Sequence, residues 1–181
     1  MHNYKGNLNI RESSFHKNIA RQGGGIHNYR AKLNIAKAEL NENDAKDFGG
    51  AIFDDGNESY IIKSSFKENT ASQGGAIYNN IGEISIEKSI FKKNAANIGG
   101  AIHSWNKVNL IESTLMENTA KEYGGAIHNF DGELIIEESE LSENTAGKGG
   151  GLFSNNQKYE IINSKIEDNE IDNIYEIHHI K

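Results

Sequence analysis

The sequence predicts an all-β protein: a right-handed parallel β-helix, or solenoid, of about seven coils of 25 residues with three short strands per coil. Two observations carry this. A glycine tetrapeptide begins at Gly23, Gly49, Gly74, Gly99, Gly124 and Gly149, in steps of 26, 25, 25, 25 and 25 residues. An asparagine recurs at the same period, at Asn18, Asn43, Asn69, Asn94, Asn118, Asn144 and Asn169. A fixed period of this length is the mark of stacked repeats, each able to bury its apolar face only against its neighbours. The whole chain, 1–181, reads as one domain: a partial coil 1–22, coils starting at 23, 49, 74, 99, 124 and 149, and a decayed final corner at 174–181.

Within one coil, Gly74-Gly75-Ala76-Ile77-Tyr78-Asn79 leads into the turn-like Asn80-Ile81-Gly82. Ile84-Ser85-Ile86 then alternates, and Ser89-Ile90-Phe91-Lys92-Lys93-Asn94 closes the unit. Short apolar runs of period two, bounded by Gly and Asn, are strands rather than helix. Three apolar positions recur. One reads Ile10, Ile35, Ile61, Ile86, Leu110, Ile136, Ile161. The next reads Phe15, Leu40, Phe66, Phe91, Leu115, Leu141, Ile166. The last reads Ile26, Ile52, Ile77, Ile102, Ile127, Leu152 and, at the decayed end, Ile177. Stacked at the inter-strand spacing of about 4.8 Å, seven coils rise roughly 34 Å. Their inward stacks leave water with a gain of about 25 cal/mol per Å². Parallel crossovers dictate the right hand.

The glycines have a steric reading: a Gly-Gly pair takes a sharp corner with φ > 0, and the small third residue lets coils pack closely. A phosphate-binding loop would need a following helix and a Lys-Ser/Thr or ribose-binding acid, and neither is present. The asparagines are expected at coil corners, bonding their own images above and below while adopting left-handed turn geometry. The serines at 13, 64, 89, 113, 139 and 164, with Ala38 the exception, form a companion inward stack.

Composition narrows the function. The net charge is −7, with 11 Lys/Arg against 11 Asp/Glu in residues 1–90 and 8 against 15 in 91–181. An acidic surface with no basic stripe argues against nucleic acid and anionic lipid. No apolar run reaches the roughly 20 residues of a membrane span, and no signal-peptide pattern opens the chain. There is no cysteine, so disulfides and thiolate metal sites are excluded. The absence of proline suits a backbone whose N–H groups are nearly all needed between coils.

The Gly-Gly-Ala-Ile tetrapeptides at Gly49–Ile52, Gly74–Ile77, Gly99–Ile102 and Gly124–Ile127, with Phe15–Asn18, Phe66–Asn69 and Phe91–Asn94, resemble the repeats of the chlamydial polymorphic membrane protein family. The resemblance implies a β-helical passenger of an autotransporter-like surface protein that acts in adhesion. Here it lacks a following membrane barrel and a preceding secretion signal. The expectation is therefore a non-catalytic, adhesin-like fragment of a longer exported protein, at the cell surface or secreted. Its expected partner is a protein or glycan on another cell, or flanking or identical coils joined end to end, because no capping element is visible. A carbohydrate-binding or carbohydrate-active helix and an end-to-end fibre are the alternatives.

The residues after the conserved Ile and two further on are expected to point outward. They supply the candidate binding stripe: His27, Tyr29, Phe53, Tyr78, His103, Trp105, His128, Phe130 and Phe153, with His2 and His178 at its ends. Stacked rings stabilise neighbouring coils, and aromatic platforms bind sugar faces or proteins; the sequence leaves both readings open. No catalytic set is expected, since the acids sit in repeating loop positions and no coil carries a unique insertion. No cofactor and no metal are expected either: His103 and His128 lack further ligands, and Asp54-Asp55-Gly56-Asn57-Glu58 lacks calcium-loop spacing.

Overall fold

The computed structural model describes residues 1–156 and 158–176. Among them it is a parallel β-solenoid with no helix. Three sheets run its length. The first has eight strands, from His2–Tyr4 through Ile77–Asn79 to Ile174–Glu176. The second has seven, from Asn7–Arg11 through Glu83–Glu87 to Tyr159–Ile162. The third also has seven, from Ser14–His16 through Ile90–Lys92 to Lys165–Glu167. Every pairing is parallel and joins equivalent residues of successive coils, such as Ile61 with Ile86 and Phe66 with Phe91. Short segments before the glycines add two further two-stranded ladders, Ile19–Gln22 with Asp44–Phe48 and Ala95–Ile98 with Thr119–Tyr123.

The three expected apolar stacks are the core. Period two on the second sheet adds a fourth, which reads Leu8, Leu33, Ser59, Ile84, Val108, Leu134 and Tyr159 in register. The Ser59 interruption is buried and its hydroxyl has no partner among the described residues. Phe66 and Phe91 stack flat, 4.5 Å between ring centres.

The asparagine column is an amide ladder. In the middle of it Asn69 Nδ2 donates to Asn94 Oδ1 at 2.9 Å and Asn94 Nδ2 donates to Asn118 Oδ1 at 2.9 Å. The same oxygens accept the backbone N–H of the previous coil's asparagine, and each Nδ2 also reaches a carbonyl of the Phe column, as Asn94 does at Phe66. The serines form a second ladder in which Ser64 N–H donates to Ser89 Oγ and Ser89 Oγ donates to the Glu87 carbonyl.

Two expectations need correcting. The left-handed corner residue is not the asparagine but the charged residue before it: Lys17, Glu42, Glu68, Lys93, Glu117, Glu143 and Asp168 have φ of 53–57°. The residue before each serine position does the same. The asparagine needs an inward side chain to reach its image, so the preceding residue turns the corner. It keeps its charge in water, where Lys93 pairs with Glu117 of the next coil at 3.3 Å. The second correction is the last coil. Ile174, not Ile177, pairs with Leu152, so that coil is shortened to 22 residues between these positions. Ile177 and His178 lie outside the described residues.

The glycine corners divide the expected roles between the two glycines: the first alone takes positive φ, and the second makes the close approach to the next coil. Gly74 has φ +63°, and a Cβ on Gly75 would sit 2.1 Å from the Gly100 carbonyl oxygen of the next coil.

Candidate functional site

On the outer side of the first sheet, one ring follows another from coil to coil. His2, His27, Phe53, Tyr78, His103, His128, Phe153 and Tyr175 are in register. Successive ring centres lie 4.7–5.6 Å apart. The strand spacing of about 4.8 Å brings each ring into contact with the next, most of them stacked or tilted and His27 meeting Phe53 edge to face.

These residues point away from the core, as expected, yet Phe53, Tyr78, His103, His128 and Phe153 are buried. An exposed stripe was expected, and the structure makes it the floor of a groove. One wall is the residue before each glycine pair: Gln22, Phe48, Gln73, Ile98, Tyr123 and Lys148, bridged coil to coil. This wall is absent from the sequence reading. Its residues share no chemistry, and the period-two pattern is lost at the glycine corner that places them beside the next strand's ring. The other wall is the second expected position, containing Tyr4, Tyr29, Asp55, Trp105, Phe130 and Asn155. Here Tyr4 stacks on Tyr29, and Trp105 lies 3.9 Å from Phe130.

Between Gln73 and Tyr175 the groove holds a recess of about 560 Å³. That is the size of an ordinary small-ligand site. Its floor there is His103, His128 and Phe153; Trp105, Phe130 and Asn155 form one side, and Ile98, Tyr123 and Lys148 the other. The sequence-predicted residues His103, Trp105, His128, Phe130 and Phe153 thus come together, whereas His27, Tyr29, Phe53 and Tyr78 lie further along the same groove. Trp105 is 39 % exposed.

The two histidines share a proton-bridged contact, Nδ1 to Nδ1 at 2.9 Å, and His128 Nε2 meets Asn155 Oδ1 at 3.3 Å. With His128 Nε2–H donating to Asn155, its Nδ1 accepts from His103 Nδ1–H. His103 Nε2 is then an acceptor, buried and without a partner among the described residues. Both imidazoles are neutral at pH 7. Burial, with a smaller push from His128, holds His103 well below the usual range, and burial lowers His128 to about 4 against a weak upward pull from Asn155.

Asp54 and Asp55 belong to other networks. Asp54 faces inward in a third polar ladder, accepting from Asn28 Nδ2 at 2.8 Å and from the Gly56 N–H at 3.1 Å, and burial raises its pKa. Asp55 accepts from Asn80 at 2.7 Å.

The stretch from Lys63 to Asn80 contains most of one coil, all but its second-sheet strand: the ladder serine Ser64, the core ring Phe66, the ladder Asn69, the glycine corner Gly74-Gly75 and the floor ring Tyr78. Residues 63–80 match the Chlamydia polymorphic membrane protein (Chlamydia_PMP) repeat. The Chlamydia_PMP repeat therefore coincides with the part of the coil that turns the chain and supplies the asparagine and serine ladders. No curated protein and no solved structure matches the chain.

Proposed function

We propose that this chain is a repeat segment of an exported surface protein and binds a partner through its lateral groove, in the manner of an adhesin rather than an enzyme. The groove carries the reading: a continuous ring floor opens into a recess lined by the chain's only tryptophan, and that tryptophan is exposed. A scaffold alone has no need of an open aromatic recess, since exposed apolar surface is commonly put to recognition. The matched repeat, from a family named for membrane proteins, supports a surface location. Among the described residues no Asp or Glu lines the recess, whereas glycoside cleavage needs a pair of them.

The test is adhesion of the purified chain, displayed on beads, to a panel of cultured cells. Wild type is expected to bind at least one cell type, and a Trp105→Ala/Phe130→Ala variant with unchanged circular dichroism to lose most of that binding. Equal binding by the two proteins, or none by wild type, defeats the reading.

A further inference from the structure

Resting on the groove as the binding face, its occupant can be given a chemistry. We propose that the recess takes an oligosaccharide ending in a single carboxylated sugar, with a C–H face of the sugar on Trp105 and Phe130 and the carboxylate on Lys148. Three observations converge.

The first is where the ring columns stop. Trp105 and Phe130 pack on one another, but the next residue in that wall is Asn155. An amide smaller than a ring opens a step beside Phe130. On the opposite wall Tyr123 is followed by Lys148, again a ring followed by a polar side chain. The recess is thus apolar along its rings and polar at one end, the arrangement that suits a sugar, with its C–H face and its hydroxyl rim.

The second is charge. Lys148 is exposed and makes no ion pair among the described residues, its ammonium lying 4.9 Å from the Tyr175 ring centre. Among the described residues it is the only cation lining the recess, in a chain of net charge −7. One lysine matches one carboxylate, whereas the chain's net negative charge disfavours a polyanion such as a polyuronate.

The third is unfilled hydrogen-bonding capacity. Asn155 and Gln73 line the recess with side-chain amides, whose hydrogen bonding among the described residues is limited to Asn155 Oδ1 with His128 Nε2. Sugar hydroxyls, or water bridging to them, fit such groups.

Because Trp105 is the sole tryptophan, its fluorescence reports on this site alone. The protein is titrated with sialyllactose, lactose and oligogalacturonate. A saturable change with sialyllactose is expected, with lactose weaker by about tenfold, as for loss of one charge-assisted hydrogen bond, and oligogalacturonate weaker still. Lys148→Gln, at an exposed position, should bring sialyllactose down to the level of lactose. Phe130→Ala should weaken both sugars about tenfold or more. Equal affinity for sialyllactose and lactose, a preference that survives Lys148→Gln, or no saturable change with folded protein overturns the proposal. If cell adhesion depends on Trp105 and Phe130 but resists sialidase treatment of the cells, the groove binds something other than this glycan. The sugar assignment then fails while the binding face stands.

Discussion

Two columns run the length of the solenoid and obey different rules. The asparagine column repeats one residue seven times, from Asn18 to Asn169, while the groove floor draws on His, Phe and Tyr over the eight strands of the first sheet. An amide ladder requires chemical identity, because each Nδ2 and Oδ1 must find its complement one coil away inside a dry core. A ring stack requires only flatness at the strand spacing. The first column therefore has no freedom, and the second can change its chemistry from coil to coil without disturbing the fold. Recognition can be written only in the second kind of column.

The comparison can be broken hardest at the corner where identity is strictest. Gly75→Ala puts a methyl against the Gly100 carbonyl oxygen, and the backbones of two coils must part to admit it. A loss of about 4 kcal/mol or more is expected in urea unfolding, along with loss of a single cooperative transition. Asn94→Ala comes next. It leaves Asn69 N–H and Nδ2, Phe66 C=O and Asn118 Oδ1 each short of a bond in the core. At about 1–3 kcal/mol per orphaned group, partly relieved by relaxation, the same measurement should show a loss of about 3–4 kcal/mol.

The ring column should respond to pH where the amide ladder does not. An unfolded histidine takes up its proton near pH 6.5, but folded His128 does so only near 4. The unfolded chain thus binds more protons in between. Stability is full above pH 6.5 and falls as pH drops toward 4, by up to about 3 kcal/mol from His128 at 1.36 kcal/mol per unit. Buried His103 acts in the same direction. Thermal melts at pH 7.5 and 4.5 measure this. A His103→Phe/His128→Phe variant, which keeps the stack flat, should match wild type at pH 7.5 and lose most of the acid-induced decrease. If that double variant unfolds at neutral pH, the floor is as constrained in identity as the ladder. The smallest effect lies at the exposed corners: Glu68→Gly relieves a left-handed residue at φ 54° and should stabilise by less than about 1 kcal/mol, seen as a small rise in Tm.

Much of the fold was legible because a solenoid repeats its own constraints. Gly74 and Asn94 announce themselves by recurring every 25 residues or so, and the alternation of Ile84-Ser85-Ile86 places two of them inside. The fourth core column went unread because Ser59 and Tyr159 interrupt it. The left-handed corner was assigned to asparagine by local propensity, which yielded to the tertiary demand that the amide point inward. At the site, the floor and one wall were legible as a stripe two residues apart. The second wall was not, because Phe48, Gln73, Ile98, Tyr123 and Lys148 have only their position in common.

By itself, then, the sequence determined the period, the coil, the inward stacks and the two ladders, since each of these is a local pattern copied until its stacking energy is large. Only the tertiary structure decided that the aromatic stripe is the floor of a groove rather than an exposed band. Enclosure depends on how the chain turns at the glycine corner, which brings the residue before the corner alongside the ring after it. That geometry belongs to the corner's backbone and to the neighbouring coils, and no spacing of side chains along the chain encodes it.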